Sequence, residues 1–313
     1  MKHIRTISEF HRFRELEKPE HPMISLIDVA SVRQSDGEEP TALLLDFYVI
    51  AMKKVSGAQM KYGQQQFDFD EGLMSFMAPN QVFTVVPGKK DEEFKQSGWV
   101  LNIHPEFLWN TSLAATIKQY DFWDYSLNEA LFLSEKEEAI INQIIQNIQQ
   151  EYRSNIDRFS KQIIISQIES LLSYADRFYH RQFIIREKSN HQILDRLEKL
   201  LDEYFSSDGL INKGLPSVGF IAGSLNISPK YLSRLLKMLI GQNTQQYIHE
   251  KLIAKAKEKL SATDLSVSEI AYQLGFEHLQ SFSKLFKIKT KLSPLEFRQS
   301  FNFKSGMGDK DLN

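Results

Sequence analysis

Apolar positions change their period along this chain. From Pro22 to about His104 they fall in short β-branched or aromatic runs: Ile24–Ala30, Leu43–Met52, Leu73–Met77, Val82–Val86 and Trp99–Ile103. Turn clusters such as Ser35-Asp36-Gly37, Ser56-Gly57, Asp70-Glu71-Gly72, Pro79-Asn80 and Pro87-Gly88 separate them. Many short strands at close spacing predict a β-barrel or sandwich. From Pro105 the period becomes helical. Ser134 and Glu137 form a capping box for a long helix with Ile140, Ile141, Ile144, Ile145 and Ile148 on one face. After Ser154-Asn155 a second long helix runs to about Phe183, with Ile164, Ile168, Leu171, Leu172 and Ala175 inward. Together they predict a helical hairpin over 134–183. Upstream, residues 1–20 form a basic arm with Ile4, Ile7 and Phe10 at helical spacing, read as a short helix docked on the strands.

The charged stretch Arg186–Asn190 reads as a linker between a β-rich domain over 1–185 and an all-helical domain over 191–304. The helical domain opens with a helix over Gln192–Phe205, followed by the loop SSDGLINKG. Val218, Ile221, Ala222 and Leu225 then mark a short helix, Asn226-Ile227 a turn, and Ser228-Pro229 the cap and first position of the next helix. Asn243 or Thr244 caps a connecting helix that runs to about Leu260. The arrangement then repeats. Ser266 and Glu269 make a capping box, Val267, Ile270, Ala271 and Leu274 an inward face, and Gly275 a left-handed turn. In the following helix Leu279, Phe282, Leu285 and Phe286 are expected to face inward, and Ser293-Pro294-x-Glu296 opens a closing helix. Each pair reads as a helix-turn-helix, whose second helix suits the major groove of double-stranded DNA. Candidate DNA contacts on the first are Ser228, Lys230, Tyr231, Ser233, Arg234 and Lys237, with Ser228 also capping and Tyr231 also packing. On the second they are His278, Gln280, Ser281, Lys284 and Lys287.

The blocks EIAYQLGF, SFSKLFK and SPLEFR resemble the signature of the AraC/XylS transcriptional regulators. The resemblance covers about a third of the chain. It implies two helix-turn-helix units in one domain, a cupin-like sensor barrel ahead of them, and pairing of two subunits through the helical hairpin. It also implies activation as the commoner outcome, with RNA polymerase as a partner in that case. Two positions depart from the family pattern. Lys291 stands where a glycine is usual before x-Ser-Pro, and Leu252, beside Lys251, stands where many relatives carry an arginine. The fold class expected is therefore α+β: an N-terminal cupin-like β-barrel with a helical hairpin, and a C-terminal all-α domain with two helix-turn-helix units.

Charge sharpens this division. Residues 213–304 carry 14 Lys/Arg against 6 Asp/Glu, whereas residues 1–212 carry 23 against 32. One end is fit to approach phosphates and the other would be repelled by them. The chain contains no cysteine, which excludes disulfides, zinc-thiolate sites and thiol nucleophiles. No histidine lies between His21 and His104, so the strand region lacks the imidazoles of a metal-dependent cupin. The remaining histidines show no metal-ligand spacing, and no nucleophile elbow, P-loop or dinucleotide fingerprint is present. No catalytic residue, metal or cofactor is expected. Phe47, Tyr48, Tyr62, Phe67, Phe76, Phe83 and Trp99 could line a pocket for a small-molecule effector. No apolar run reaches the length of a membrane span and the N-terminus lacks a signal-peptide core, so a cytoplasmic location is expected. Two other readings are an architectural DNA-binding protein without ligand control and a non-metal cupin-like enzyme with a helical docking domain.

Overall fold

In the computed structural model the short apolar runs of the N-terminal half become strands of two sheets. The structure describes residues 1–32, 41–56, 61–62, 65–66, 72–85, 95–126, 129–154, 159–185, 187–206 and 209–305. Strands β1 (Lys2–Ile4), β3 (Thr41–Leu45) and β8 (Val82–Val85) form one sheet, ordered β1-β3-β8. Strands β2 (Ile24–Asp28), β4 (Tyr48–Ser56), β7 (Gly72–Met77), β9 (Lys95–Ile103) and β10 (Leu131–Leu133) form an antiparallel sheet, ordered β10-β7-β4-β9-β2. Among the described residues, strands β5 (Lys61–Tyr62) and β6 (Gln65–Gln66) pair only with each other.

Alternation along the strands separates two apolar layers. Ile27 and Val49 pack toward Leu43 and Leu45 of the other sheet, together with Ile4, Phe47, and Ile7 and Phe10 of helix α1 (Ile7–Phe13). The opposite face carries Tyr48 and Phe76, whose rings lie 4.8 Å from Trp123 and 4.4 Å from Phe122 respectively. The same face carries Trp99, whose indole N–H donates to Asn142 at 3.1 Å. Among the described residues no strand of one sheet pairs with a strand of the other, so the expected cupin-like barrel does not close.

The run Leu43–Met52 is two strands rather than one. Asp46 accepts a 2.6 Å bond from the His3 ring, and its backbone N–H donates to Ile4 at 3.2 Å. These bonds turn the chain out of the first sheet and into the second. Phe67 and the side chains of Tyr62 and Phe83 lie outside the described residues, as do Ser35-Asp36-Gly37, Gly57, Asp70-Glu71, Pro87-Gly88 and Asn155.

After the short helix α2 (Leu113–Thr116), helices α3 (Glu135–Arg153) and α4 (Ser160–Ile185) make the expected hairpin. The Ser134–Glu137 capping box opens α3. Arg181 clasps Glu137 through two bonds of 3.0 and 2.6 Å and also donates to Phe132 O at 2.7 Å. Ile141, Ile144, Ile145 and Ile148 are buried within the single chain, and Ile140 lies at the edge, 37% exposed. This isoleucine face is covered by α4 and the sheet of the same chain.

Residues 1–185 form one compact unit and residues 186–313 the other. Helix α5 (Glu187–Ser206) begins inside the stretch expected to be a linker. A short helix, α6 (Gly209–Lys213), replaces part of the expected loop. Then follow α7 (Val218–Leu225), α8 (Pro229–Ile240), α9 (Thr244–Ala262), α10 (Val267–Gln273), α11 (Leu279–Thr290) and α12 (Pro294–Ser305). Ile248 of α9 joins one core with Leu197, Ile221, Leu232 and Leu236. Leu252, Ala256 and Leu260 of the same helix join a second core with Ile270, Leu274, Phe282 and Phe286. At 1.5 Å per residue α9 is about 28 Å long and ties the two cores together. Arg298 fastens α12 to this frame, donating to Leu260 O at 3.3 Å and Leu265 O at 2.6 Å. Among the described residues no helix is long and apolar enough to cross a membrane.

Candidate nucleic-acid interface

Helices α7 and α8 and helices α10 and α11 are built on the same local rules. Ser217 Oγ accepts the Phe220 N–H at 3.1 Å to start α7. Ser266 Oγ accepts the Glu269 N–H at 3.2 Å to start α10, and Glu269 returns a bond to the Ser266 N–H at 2.7 Å. The Ser266 hydroxyl and N–H hold the Glu269 carboxyl below the usual glutamate range. Both turns pass through left-handed backbone: Asn226 at φ 58° in the first and Gly275 at φ 79° in the second. Asparagine tolerates that region. At Gly275 a Cβ would stand 2.8 Å from Leu210 O, so the turn takes glycine for want of space as well as for conformation.

The second helix of each pair runs for twelve residues and buries one face on successive turns: Leu232 and Leu236 in α8, Phe282 and Phe286 in α11. That fixes which side chains remain outside. On α8, Lys230 and Lys237 are exposed, and Ser233 and Arg234 are half-buried. Ser233 Oγ lies 3.0 Å from Thr244 Oγ1. Ser228 and Tyr231 are buried, 7% and 6% exposed, and Ser228 Oγ caps the helix by accepting the Tyr231 N–H at 3.2 Å. These two candidates therefore lie behind the surface and support it. On α11, His278, Gln280, Ser281, Lys284 and Lys287 are all exposed. Ser283 is half-buried, and Leu279, expected inward, is 40% exposed because it sits at the helix start, beyond the packing neighbours of Phe282.

On the connecting helix, Leu252 is fully buried. Lys251 is engaged by Glu198 at 2.8 Å, and Tyr247 donates to the same carboxylate oxygen at 2.9 Å. Those two bonds hold the Glu198 carboxyl below its usual range, and the bond to Glu198 raises the Lys251 ammonium. Neither position offers a loose cation. The Ser233–Thr244 contact and the hold of Arg298 on α9 each join two different helices, so periodicity along the chain carries no sign of either.

The N-terminal unit holds a cavity of about 420 Å³ lined by Ser75, Met77, Gln81, Phe122, Tyr125 and Tyr179, among others. Ser75, Phe76 and Met77 of its lining follow the segment of β7, Gly72–Met74, that pairs with β10 among the described residues. Gln81 braces its wall, donating to Trp123 O at 2.5 Å and accepting from the Ala78 N–H at 3.0 Å. Of the aromatic residues expected to line a pocket, Phe76 does so, whereas Phe47, Tyr48 and Trp99 are core residues. Among the described residues no group of three or more His, Cys, Asp or Glu could hold a metal ion.

A helix-turn-helix domain family matches residues 221–300. The chain is similar to the HTH-type transcriptional activator RhaS of Enterobacter sp. (strain 638), 32% identical over 112 residues, or 36% of this chain and 38% of that protein. It is also similar to the uncharacterized HTH-type transcriptional regulator YfiF of Bacillus subtilis (strain 168), 27% identical over 146 residues, or 47% of this chain and 43% of that protein. The aligned stretches thus span less than half of these two curated relatives. Among solved structures, the C-terminal domain of AraT, a response regulator from Geobacillus stearothermophilus, is 30% identical with a TM-score of 0.31, covering 34% of this chain and 84% of that one.

Proposed function

Residues 221–300 are a helix-turn-helix domain of the AraC/XylS type, and we propose that through it the chain binds specific double-stranded DNA and regulates transcription. The observation that carries this reading is the pair of twelve-residue helices, α8 and α11, each with its apolar side locked into a core sharing α9. Their other sides carry hydrogen-bonding and cationic groups. Near the start of α11, His278, Gln280 and Ser281 read base edges, as Lys230 and Arg234 do from α8. Lys237, Lys284 and Lys287, a turn or more further on, meet phosphates as each helix leaves the groove. The α9 length of about 28 Å suits recognition helices spaced near one turn of DNA, about 34 Å. An activator of this design would also touch RNA polymerase.

The N-terminal unit regulates this activity by taking a small molecule into the cavity near Phe76, Phe122 and Tyr179. A lining that combines aromatic rings with hydroxyl and amide groups suits a neutral, largely apolar effector. Selection of duplexes from a random library by the full chain tests the DNA-binding reading. It should return one enriched sequence pattern; recovery of unenriched DNA, or of none, would refute sequence-specific binding.

A further inference from the structure

Each recognition helix ends in left-handed backbone, but with different residues. Helix α8 closes at Gly241, φ 73°, whose N–H donates to Lys237 O at 3.1 Å. Helix α11 closes at Lys291, φ 67°, whose N–H donates to Lys287 O at 2.8 Å. Glycine adopts this conformation freely, whereas a Cβ crowds the neighbouring carbonyl oxygen. The closing hydrogen bond is the same, so the helix end itself does not call for a lysine. Nor does the helix dipole, because Lys287 and Lys289 already supply cations to the last turn in unstrained helical backbone.

Lys291 extends a row. Lys284, Lys287 and Lys291 follow at helical i, i+3 and i+7 spacing and all three are exposed. Like charges one turn apart repel. Glu296, the next acid along the chain, is engaged by the Ser293 N–H at 2.7 Å and lies in the field of Lys287. The corresponding row on α8 is Arg234, Lys237 and Gly241, which ends one charge earlier. The Thr290 hydroxyl braces this turn from within, accepting the Leu292 N–H at 3.2 Å, but backbone strain of this kind clusters at ligand clamps, where a partner can also offset a self-repelling row.

We propose that Lys291 is a DNA-phosphate contact, giving the second recognition helix one backbone anchor that the first does not have. This rests on the DNA-binding reading above. The test uses the full chain and a duplex recovered by selection, titrated at several salt concentrations, with thermal unfolding measured alongside. Lys291→Gly should unfold a few degrees higher than the parent and yet bind more weakly. The lost counterion release of about 0.9 per phosphate corresponds to about fivefold at 0.15 M salt, with the salt slope reduced by about 0.9 and base preference unchanged. Lys291→Asn, neutral but tolerant of left-handed backbone, should lose the same slope, and Lys291→Arg should keep it. If Lys291→Gly leaves affinity and slope unchanged, or alters base preference at constant slope, the proposal is overturned. A parent chain that binds with a salt slope retained by Lys291→Gly sinks this inference alone. A parent chain that does not bind DNA sinks the DNA-binding reading and this inference with it.

Discussion

Arg234 is half-buried on α8 and Lys287 exposed on α11, and the proposed interface gives them different work. The planar fork of an arginine suits bidentate contact with a guanine edge, whereas a lysine meets a phosphate as a point charge. Arg234→Ala should cost about 1–3 kcal/mol on the preferred duplex and relax one or two base pairs, whereas Lys287→Ala should weaken all sequences alike and lower the salt slope by about one. Repeating the selection with both variants checks this; an unchanged base preference for Arg234→Ala would move that residue to the phosphate class. Glycines give a matched pair for stability. Gly275→Ala places a Cβ 2.8 Å from Leu210 O at positive φ, so it should destabilise the domain by about 1–3 kcal/mol. Gly223→Ala, helical and with nothing within 4 Å of its Cβ, should stabilise it by about 0.5–1 kcal/mol. Thermal unfolding of the two variants should move in opposite directions. At this scale the sequence was legible where chemistry is local: the caps at Ser228 and Ser266 and the turn at Gly275. At Tyr231 local spacing allowed both packing and contact, and the burial that favours packing depends on neighbouring helices.

Capping boxes govern the elements. Ser266 holds the Glu269 carboxyl below its ordinary range, first through its hydroxyl, and Ser293 does the same for Glu296, first through its backbone N–H. A depressed carboxyl binds its proton less readily folded than unfolded. Its contribution is therefore complete above the unfolded pKa and lost as pH falls through the folded one. Stability of the helical domain should decline on acidification below the usual glutamate range. Glu269→Gln with Glu296→Gln should remove part of that decline; an identical acid profile for the double variant would show that the boxes contribute nothing to it. In the hairpin, Ile144 and Ile148 are 7% and 0% exposed, so replacing both by Asp should unfold the N-terminal unit rather than release a monomer. Circular dichroism and sedimentation separate those outcomes; a folded variant with reduced mass would show pairing through this face. Periodicity revealed these helices and their apolar sides but could not reveal what covers them. The same limit hid the break at Asp46-Phe47, which depends on His3 far away in sequence, and the failure of the two sheets to close.

Across the whole molecule, the sign of the charge follows the division of the fold. The unit 186–313, which holds α8 and α11, carries 19 Lys/Arg against 14 Asp/Glu, and the unit 1–185, which holds the sheets and the hairpin, carries 19 against 26. The charge split was visible from composition, because net charge needs no geometry. The cavity beside β7 was not, since its lining joins residues as far apart in sequence as Ser75 and Tyr179. The most direct test of the central claim is a salt titration of the full chain on its selected duplex and on a scrambled one. The parent is compared with a variant in which Lys230, Arg234, Lys284 and Lys287 are all replaced by Ala. The account predicts preference for the selected duplex, a linear fall of log affinity with log salt, and loss of both in the variant. Equal affinity for the two duplexes, or an affinity and slope that survive removal of all four cations, would contradict it.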